Sequence, residues 1–284
     1  METTPYPGDS LDRLHHELLE MLKVFDQACK EARLTYFIEG GTALGALRHG
    51  GFIPWDDDVD VSMPSADYER MLEVLPQHLP GGYSLHTWEN TPRYTRLWAT
   101  LWKDGTRFQD SVAVEAGMEQ GIFLDIFRLV RLDRDPGIAA RQRRRLLFWQ
   151  RMAYLKYLAH PHNVPNRALE VACIAAHEIV RHMPMAHIAK MFERACRTEN
   201  PGDLMVDATY ADYEPIPAQD LLPPVPIKFE GVELMGPHNI EAYLTATYGD
   251  WQALPPADKR YTHAPEVLDF GDGVNVVEAA KKQS

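Results

Sequence analysis

The 284-residue chain is poor in cysteine, in positive charge and in long apolar runs, and each shortage excludes something. Its cysteines, Cys29, Cys173 and Cys196, are odd in number and widely spaced, with no C-x-x-C. That argues against a disulfide framework or a zinc ribbon and fits a reducing compartment. Lys and Arg number 29 against 41 Asp and Glu, a formal net charge of −12, so the basic footprint needed for non-specific nucleic-acid binding is missing. A polyanionic substrate is still compatible with that balance, because a bound metal reverses the local field. The most apolar stretch, ALEVACIAAHEIV at residues 168–180, carries Glu170, His177 and Glu178 and is too short and too polar to span a bilayer. The first twenty residues have neither the basic nor the apolar region of a signal peptide. The expectation is a soluble, cytoplasmic protein that meets the inner face of a membrane, if at all, through its acceptor.

Hydrophobic residues make up 45% and charged residues 25%, an ordinary globular balance with ample chain for a core, arranged as one large domain or two joined lobes. The spacing of Leu11, Leu14, Leu18, Met21, Leu22, Phe25 and Cys29 predicts an amphipathic helix over residues 10 to 33, with Ser10 at its N-cap. TYFIEGG reads as a short strand stopped by Gly40-Gly41, TALGALRH as a short helix and DVDVSM as a strand. A helix should follow from near Pro64 to Leu75, with Tyr68, Met71, Leu72 and Leu75 inward. Residues 93 to 110 read as a hairpin turning at KDGT, and GIFLDIFRLV as a further strand. A long helix begins at Asp135-Pro136, a second helical region covers about residues 166 to 198, IKFEGVEL forms a short hairpin and NIEAYLTATYGDW a final helix ending near Gly249. The tail after Gly271 looks frayed. Strands early and helices late point to an α/β or α+β catalytic lobe followed by a helical region.

The segment RHGGFIPWDDDVDV packs Asp56, Asp57, Asp58 and Asp60 into five positions. In a strand, residues i and i+2 share a face, so Asp58 and Asp60 point together, about 5–7 Å apart, while Val59 and Val61 face the core. Such a carboxylate pair suits a hard cation, Mg²⁺ or Mn²⁺, better than Zn²⁺. The plain alternative, a solvated acidic loop, fits the D-V-D-V alternation less well. Gly40 and Gly41 at a strand end, with Thr42 opening a helix, offer a turn whose backbone could approach a phosphate closely. Asp125, set in the apolar strand GIFLDIFRL, is either a third carboxylate for a two-metal site or an acid paired with an arginine. Arg48 and His49 lie between these parts and are either phosphate donors or solvated loop residues. Asp56 and Asp57 orient the loop, cap a turn or add outlying charge rather than ligate.

YFIEGGTALGALRHGGFIPWDDDVDV, QGIFLDIFRL and FEGVELMGPHNIEAYLTATYGDW followed by LPPADKRYTH together resemble the LicD family of the nucleotidyltransferase-fold superfamily, which is related to fukutin and the fukutin-related protein. Ala43 stands where that family usually has a larger residue, and Arg128 where it usually has proline. The resemblance implies an α+β fold: a nucleotidyltransferase-like mixed sheet flanked by helices over residues 1–132, then a helical region with the C-terminal block over residues 133–284, packed as one unit. It implies transfer of a phosphoalcohol, such as phosphocholine, from a CDP-alcohol (CDP-choline, CDP-ribitol or CDP-glycerol) to a hydroxyl of a glycan or cell-surface polysaccharide precursor such as lipopolysaccharide or teichoic acid, releasing CMP. By position, Asp58, Asp60 and Asp125 become catalytic, metal-holding residues for two Mg²⁺ or Mn²⁺ ions. Gly40, Gly41 and Thr42 match the phosphate turn, and Arg260 and His263 fall in the C-terminal block as substrate contacts. The alternatives are a nucleotidyltransferase that moves a nucleoside monophosphate from an NTP and releases pyrophosphate, and an inactive scaffold.

Other signals carry less. HEIVRH sets His177 and His182 five apart, about 140° around a helix, so it is not the zinc-protease pattern. RQRRR at residues 141–145 reads as a solvated helix start, because the apolar residues after it show no single face. Trp55, Trp98, Trp102 and Trp149 are core aromatics or the cage of a quaternary ammonium.

Overall fold

The computed structural model describes residues 6–160, 166–256, 260 and 262–282. Helix α1 (Ser10–Ala32) forms because the expected stripe from Leu11 to Cys29 is buried along its length. Asp9 holds its N-cap position; Ser10 is already helical, and its hydroxyl donates to the Pro7 carbonyl. Strand β1 (Phe37–Ile38) leads into α2 (Gly40–His49), and a loop then reaches β2 (Asp60–Pro64). Next come α3 (Ser65–Val74), β3 (Tyr83–His86), β4 (Ala99–Lys103), β5 (Arg107–Gln109), α4 (Ser111–Ala116) and the long β6 (Ile122–Asp133). The helices α5 (Pro136–Tyr157), α6 (Arg167–Val180) and α7 (Met185–Cys196) precede β7 (Pro201–Asp207), β8 (Ile216–Pro217) and α8 (Ala218–Leu221). The hairpin β9 (Val225–Phe229) and β10 (Val232–Gly236), then α9 (Ile240–Tyr248), β11 (Val267–Asp269) and α10 (Val276–Lys281) complete the chain.

The main sheet runs β1-β2-β6-β4-β3, with β2 and β6 parallel and the other neighbours antiparallel. At 12 residues β6 is long enough to pair with β4 along its first half and with β7 along its second, both on the edge away from β2. Strand β8 then adds to β7. The result is an α+β fold with a curled, mixed sheet. Residues from both halves of the sequence fill one core, in which Phe25, Phe37, Leu101 and Phe123 join Met205, Phe229, Leu244 and Leu268. A second patch, with Val130, Leu146, Phe192 and Val206, lies under α5 and α7. No helix among the described residues is long and apolar enough to cross a membrane.

Several sequence expectations need correction. The turn at residues 103 to 106 exists, but β5 does not return along β4, because both edges of β4 are taken by β3 and β6; β5 pairs with β11 instead. The expected hairpin at IKFEGVEL is β9–β10, and the sheet also takes strands from after residue 200 that were not expected, β7 and β8, while β11 pairs with β5. From Gly271 to residue 282 the tail is not frayed: Asn275 caps α10, accepting from the Val277 N–H. Leu72 of α3 faces solvent rather than the core. Of the C-terminal block LPPADKRYTH, residues 257–259 and 261 lie outside the described residues.

Candidate active site

Asp58 and Asp60 stand where the chain enters β2. Val59 and Val61 take the fully enclosed alternate positions, which leaves both carboxylates on the opposite face. Because β2 runs parallel to β6, Asp60 is the register partner of Asp125, whose N–H donates to the Val59 carbonyl at 3.1 Å. The pairing of two distant strands therefore gathers the three acids. Burial, then the charges of Asp58, Asp125 and Asp56, pushes the pKa of Asp60 well above the carboxylate range. Burial also raises Asp58 against the pull of His263, and Asp125 against that of Arg96.

The sequence names no arginine as the partner of Asp125, and the structure supplies Arg96. Its Nη1 lies 3.5 Å from Asp125 Oδ1, too long for a good hydrogen bond, and Asp125 Oδ1 is buried with no hydrogen-bond partner among the described residues. Arg96 beside Asp125, His263 beside Asp58 and Arg48 near Asp56 thus face the four acids Asp56, Asp58, Asp60 and Asp125. Buried hard oxygen donors in excess of nearby cations are the donor set that Mg²⁺ or Mn²⁺ requires.

The glycine turn is fitted to these acids. Gly40 has φ +56°, and a Cβ there would lie 3.2 Å from Asp60 Oδ2. A Cβ on Gly41 would come within 2.7 Å of Asp56 Oδ2. The Thr42 hydroxyl accepts from the Asp60 N–H at 2.9 Å, and the Gly40 N–H donates to the Tyr243 hydroxyl at 2.8 Å. All three residues expected at a phosphate turn are therefore beside the acids, and two of their polar groups help to position the turn and Asp60.

Asp57 is 1% exposed. Its carboxylate accepts from the Tyr6 hydroxyl, the backbone N–H of His263 and that of Ala264. His263 Nδ1 lies 3.0 Å from Asp57 Oδ1 and 3.5 Å from Asp58 Oδ2. Burial opposes a charged ring, yet Asp58 and Asp57 outweigh it and push His263 up to about 10. Burial would likewise raise Asp57, but the hydrogen bonds and charge of His263 hold it below its ordinary value. Asp57, Asp58 and His263 do bring potential ligand atoms within 4.8 Å of one another. A protonated imidazole has no free lone pair for a metal, so this group reads first as an ion pair that ties the C-terminal segment to the acid loop.

The remaining expected residues are more scattered. Arg48 donates to the carbonyls of Trp251 and Ala253, and His49 stacks edge-on to Trp55 with ring centroids 6.4 Å apart. Burial, then Arg48, lowers the His49 pKa. The Arg260 guanidinium lies 4.2 Å over the Trp55 ring, and its Nε donates to the Pro255 carbonyl. The four tryptophans form no cage: Trp102 stacks on His86 and Trp149 sits against Phe148 and His187, both away from Trp55. His177 Nδ1 lies 2.7 Å from the Leu155 carbonyl oxygen, a contact that packs α6 on α5.

Sequence reading missed a second group beside Asp60. A cavity of about 170 Å³ is lined by Glu39, Asp60, Asp207, Tyr210, Tyr213 and Tyr248, among others. Burial, then Asp207, raises Glu39 well above its ordinary value, while burial pushes Asp207 up to about 7. Glu39 was visible inside the quoted EGG motif and Tyr248 inside NIEAYLTATYGDW; Asp207, Tyr210 and Tyr213 reach the site through the pairing of β7 with β6. A larger groove of about 640 Å³ around Glu69, Trp88 and Arg128 holds none of these acids. Arg128, at the position where proline was expected, is buried and joins Ser65 and Glu69 of α3 to Glu193 of α7.

Residues 33–134 match the family described as LicD/FKTN/FKRP, nucleotidyltransferase domain. The lipopolysaccharide cholinephosphotransferase LicD of Haemophilus influenzae is 25% identical over 251 residues, covering 86% of this chain and 92% of that protein. The ribitol 5-phosphate transferase FKRP of Homo sapiens is 56% identical over 32 residues, 11% of this chain and 6% of that protein. The matched residues run from the end of α1 to the end of β6 and include Asp58, Asp60, Asp125 and the glycine turn. Over residues 33–134 the chain is thus similar to the LicD/FKTN/FKRP nucleotidyltransferase domain, and over most of its length to the LicD cholinephosphotransferase.

Proposed function

We propose that the chain transfers a phosphoalcohol from a CDP-alcohol to a hydroxyl of a glycan or cell-surface polysaccharide precursor, releasing CMP, in a reaction dependent on Mg²⁺ or Mn²⁺. The observation that carries this reading is the register of Asp60 against Asp125, with Asp58 on the same face and a glycine turn fitted to the acids. Its support from known proteins is that relatives are transferases of choline phosphate and of ribitol 5-phosphate. In the same reading residues 1–132 are the catalytic core, and residues 133–284 pack with it as one unit.

Asp58, Asp60 and Asp125 would hold the cation, which would neutralise charge on the entering and leaving oxygens. The acceptor hydroxyl attacks the phosphorus that bears the alcohol. The bond from that phosphorus to the bridging oxygen breaks, and CMP leaves with that oxygen. The hydroxyl proton passes to a carboxylate of the cluster, and Asp125 is the group assigned to take it. Gly41 and Thr42, in the first turn of α2, direct backbone N–H groups toward an anion next to Asp60.

The test is a screen of CDP-choline, CDP-ribitol, CDP-glycerol and NTPs for binding with and without Mg²⁺ or Mn²⁺, with the released product identified. Binding of a CDP-alcohol only with the divalent ion, and release of CMP in the presence of a glycan acceptor, is expected. Pyrophosphate release from an NTP would point to nucleotidyl transfer instead, and no divalent-dependent binding would point to a scaffold.

A further inference from the structure

We infer that α5 and α6 form a docking face for an anionic bilayer surface, with an apolar ridge on α6 entering the headgroup layer and the arginines of α5 holding lipid phosphates. Such a face is independent of the group that the acid cluster transfers.

Helix α6 is apolar on the side that faces away from the protein. Its inner side is fixed by two contacts: His177 Nδ1 lies 2.7 Å from the Leu155 carbonyl oxygen, and Val180 packs with Ala153 and Ile188. At about 100° per residue, Ala168, Val171, Ala172, Ala175 and Ile179 lie at least about 120° around the helix from His177. All five are exposed, Val171 at 58% and Ile179 at 71%, and no charged residue stands among them. Leu169, 45% exposed, widens the ridge near its start. A helix on the surface of a globular protein turns its apolar stripe to the core. Here the outer face carries the stripe, which marks a surface that meets something else.

The charge beside the ridge decides what covers it. Helix α5 contains five arginines and Lys156 but no acidic residue. Residues 136–182 carry eight Lys and Arg against two Asp and Glu, a net charge of +6 inside a chain of −12. Arg141, Arg144, Phe148 and Arg151 fall on the stripe of α5 that ends at Leu155, where α6 packs, so the ridge and the arginines share one side of the molecule. All four are exposed, Phe148 at 51%. The arginine run is solvated, as the sequence suggests, yet with α6 beside it the surface has the composition of an interfacial helix: an apolar ridge bounded by Arg. Guanidinium groups take phosphate oxygens in pairs, and anionic headgroups supply those phosphates at high density. A second copy fits less well, because a two-fold contact would set the same arginines against one another. Nucleic acid would use the arginines and leave the ridge in water. Arg143, on the flank of α5, donates to the carbonyls of Ala211 and Tyr213, so the docking helix is braced on the loop that lines the cavity beside Asp60.

Flotation of the full chain with vesicles of phosphatidylcholine, alone or with about one third phosphatidylglycerol, tests the face. Binding to the anionic vesicles should be at least about tenfold tighter than to the neutral ones and should weaken as salt is added. Val171→Asp combined with Ile179→Asp, at exposed positions that leave the melting temperature unchanged, should weaken that binding about tenfold, and so should Arg144→Glu combined with Arg151→Glu. No binding to anionic vesicles at low salt, equal binding to both compositions, or binding that neither pair of changes weakens would overturn the docking face. A dimer in light scattering that the aspartate pair dissolves, with no lipid binding, would give the face to a second copy and overturn it as well.

Discussion

At Asp57 the donors of Tyr6, His263 and Ala264 converge on one enclosed carboxylate; at Asp58, one position on, a carboxylate faces Asp60, Asp56 and Asp125. Opposite outcomes are expected from the same substitution. Asp57→Asn places an amide N–H among hydrogen-bond donors and weakens the ion pair with His263, at a cost of about 1.5–3 kcal/mol. Asp58→Asn relieves like-charge repulsion, so the metal-free protein should melt at the same temperature or higher while activity falls beyond the ~10–100-fold typical of residues outside the metal ligands. Melting temperatures of the two variants without metal, beside their turnover, check this; a destabilised Asp58→Asn would show that His263 needs Asp58 more than Asp57.

Helix α2 is held against the loop that delivers the acids by the absence of one methyl group. A Cβ on Gly45 would lie 2.4 Å from the Gly51 carbonyl oxygen and 3.2 Å from the Ile53 nitrogen, and no rotamer change relieves a clash with backbone. Gly45→Ala should therefore cost about 1–3 kcal/mol in urea unfolding and lower activity by shifting residues 51 to 58. A variant as stable and active as the parent would show that this loop tolerates movement. The local devices here were legible in sequence: the D-V-D-V alternation, the Gly-Gly stop after a strand and the Asp135-Pro136 helix start are all set by neighbours a few residues apart. What was not legible depends on which strands pair. Asp125 could be nominated, but its place opposite Asp60 is a matter of register, and Arg96 beside it gave no local sign. The supposed β4–β5 hairpin failed for the same reason, since turn chemistry cannot reveal that both edges of β4 are already used. Asp207, Tyr210 and Tyr213 lie outside every motif singled out in the sequence, and β7 carries them to the sheet.

Over the whole molecule, the acid cluster makes stability depend on pH in a definite direction. Asp207 holds its proton to about pH 7 in the folded chain against an ordinary 3.8, so between those values the native state binds a proton that the unfolded chain has lost. Stability falls as pH rises through that window, and the raised Asp58, Asp60 and Asp125 act with the same sign. His263, raised from 6.5 to about 10, adds stability that is full below 6.5 and is lost as pH climbs toward 10. The metal-free protein should accordingly melt at a higher temperature near pH 6 than near pH 8.5, and Mg²⁺ should raise the melting temperature more at the higher pH. Calorimetric scans at both pH values check this, and a metal-free melting temperature that rises with pH would contradict it.

The most direct measurement is anomalous diffraction from crystals grown with Mn²⁺ and a CDP-alcohol. A manganese peak coordinated by Asp60 and Asp125, with Asp58 at or next to the ion and the diphosphate beside Gly41, is the expected result. Manganese held instead by Asp57 and His263, or a diphosphate bound away from β2 and β6, would contradict it.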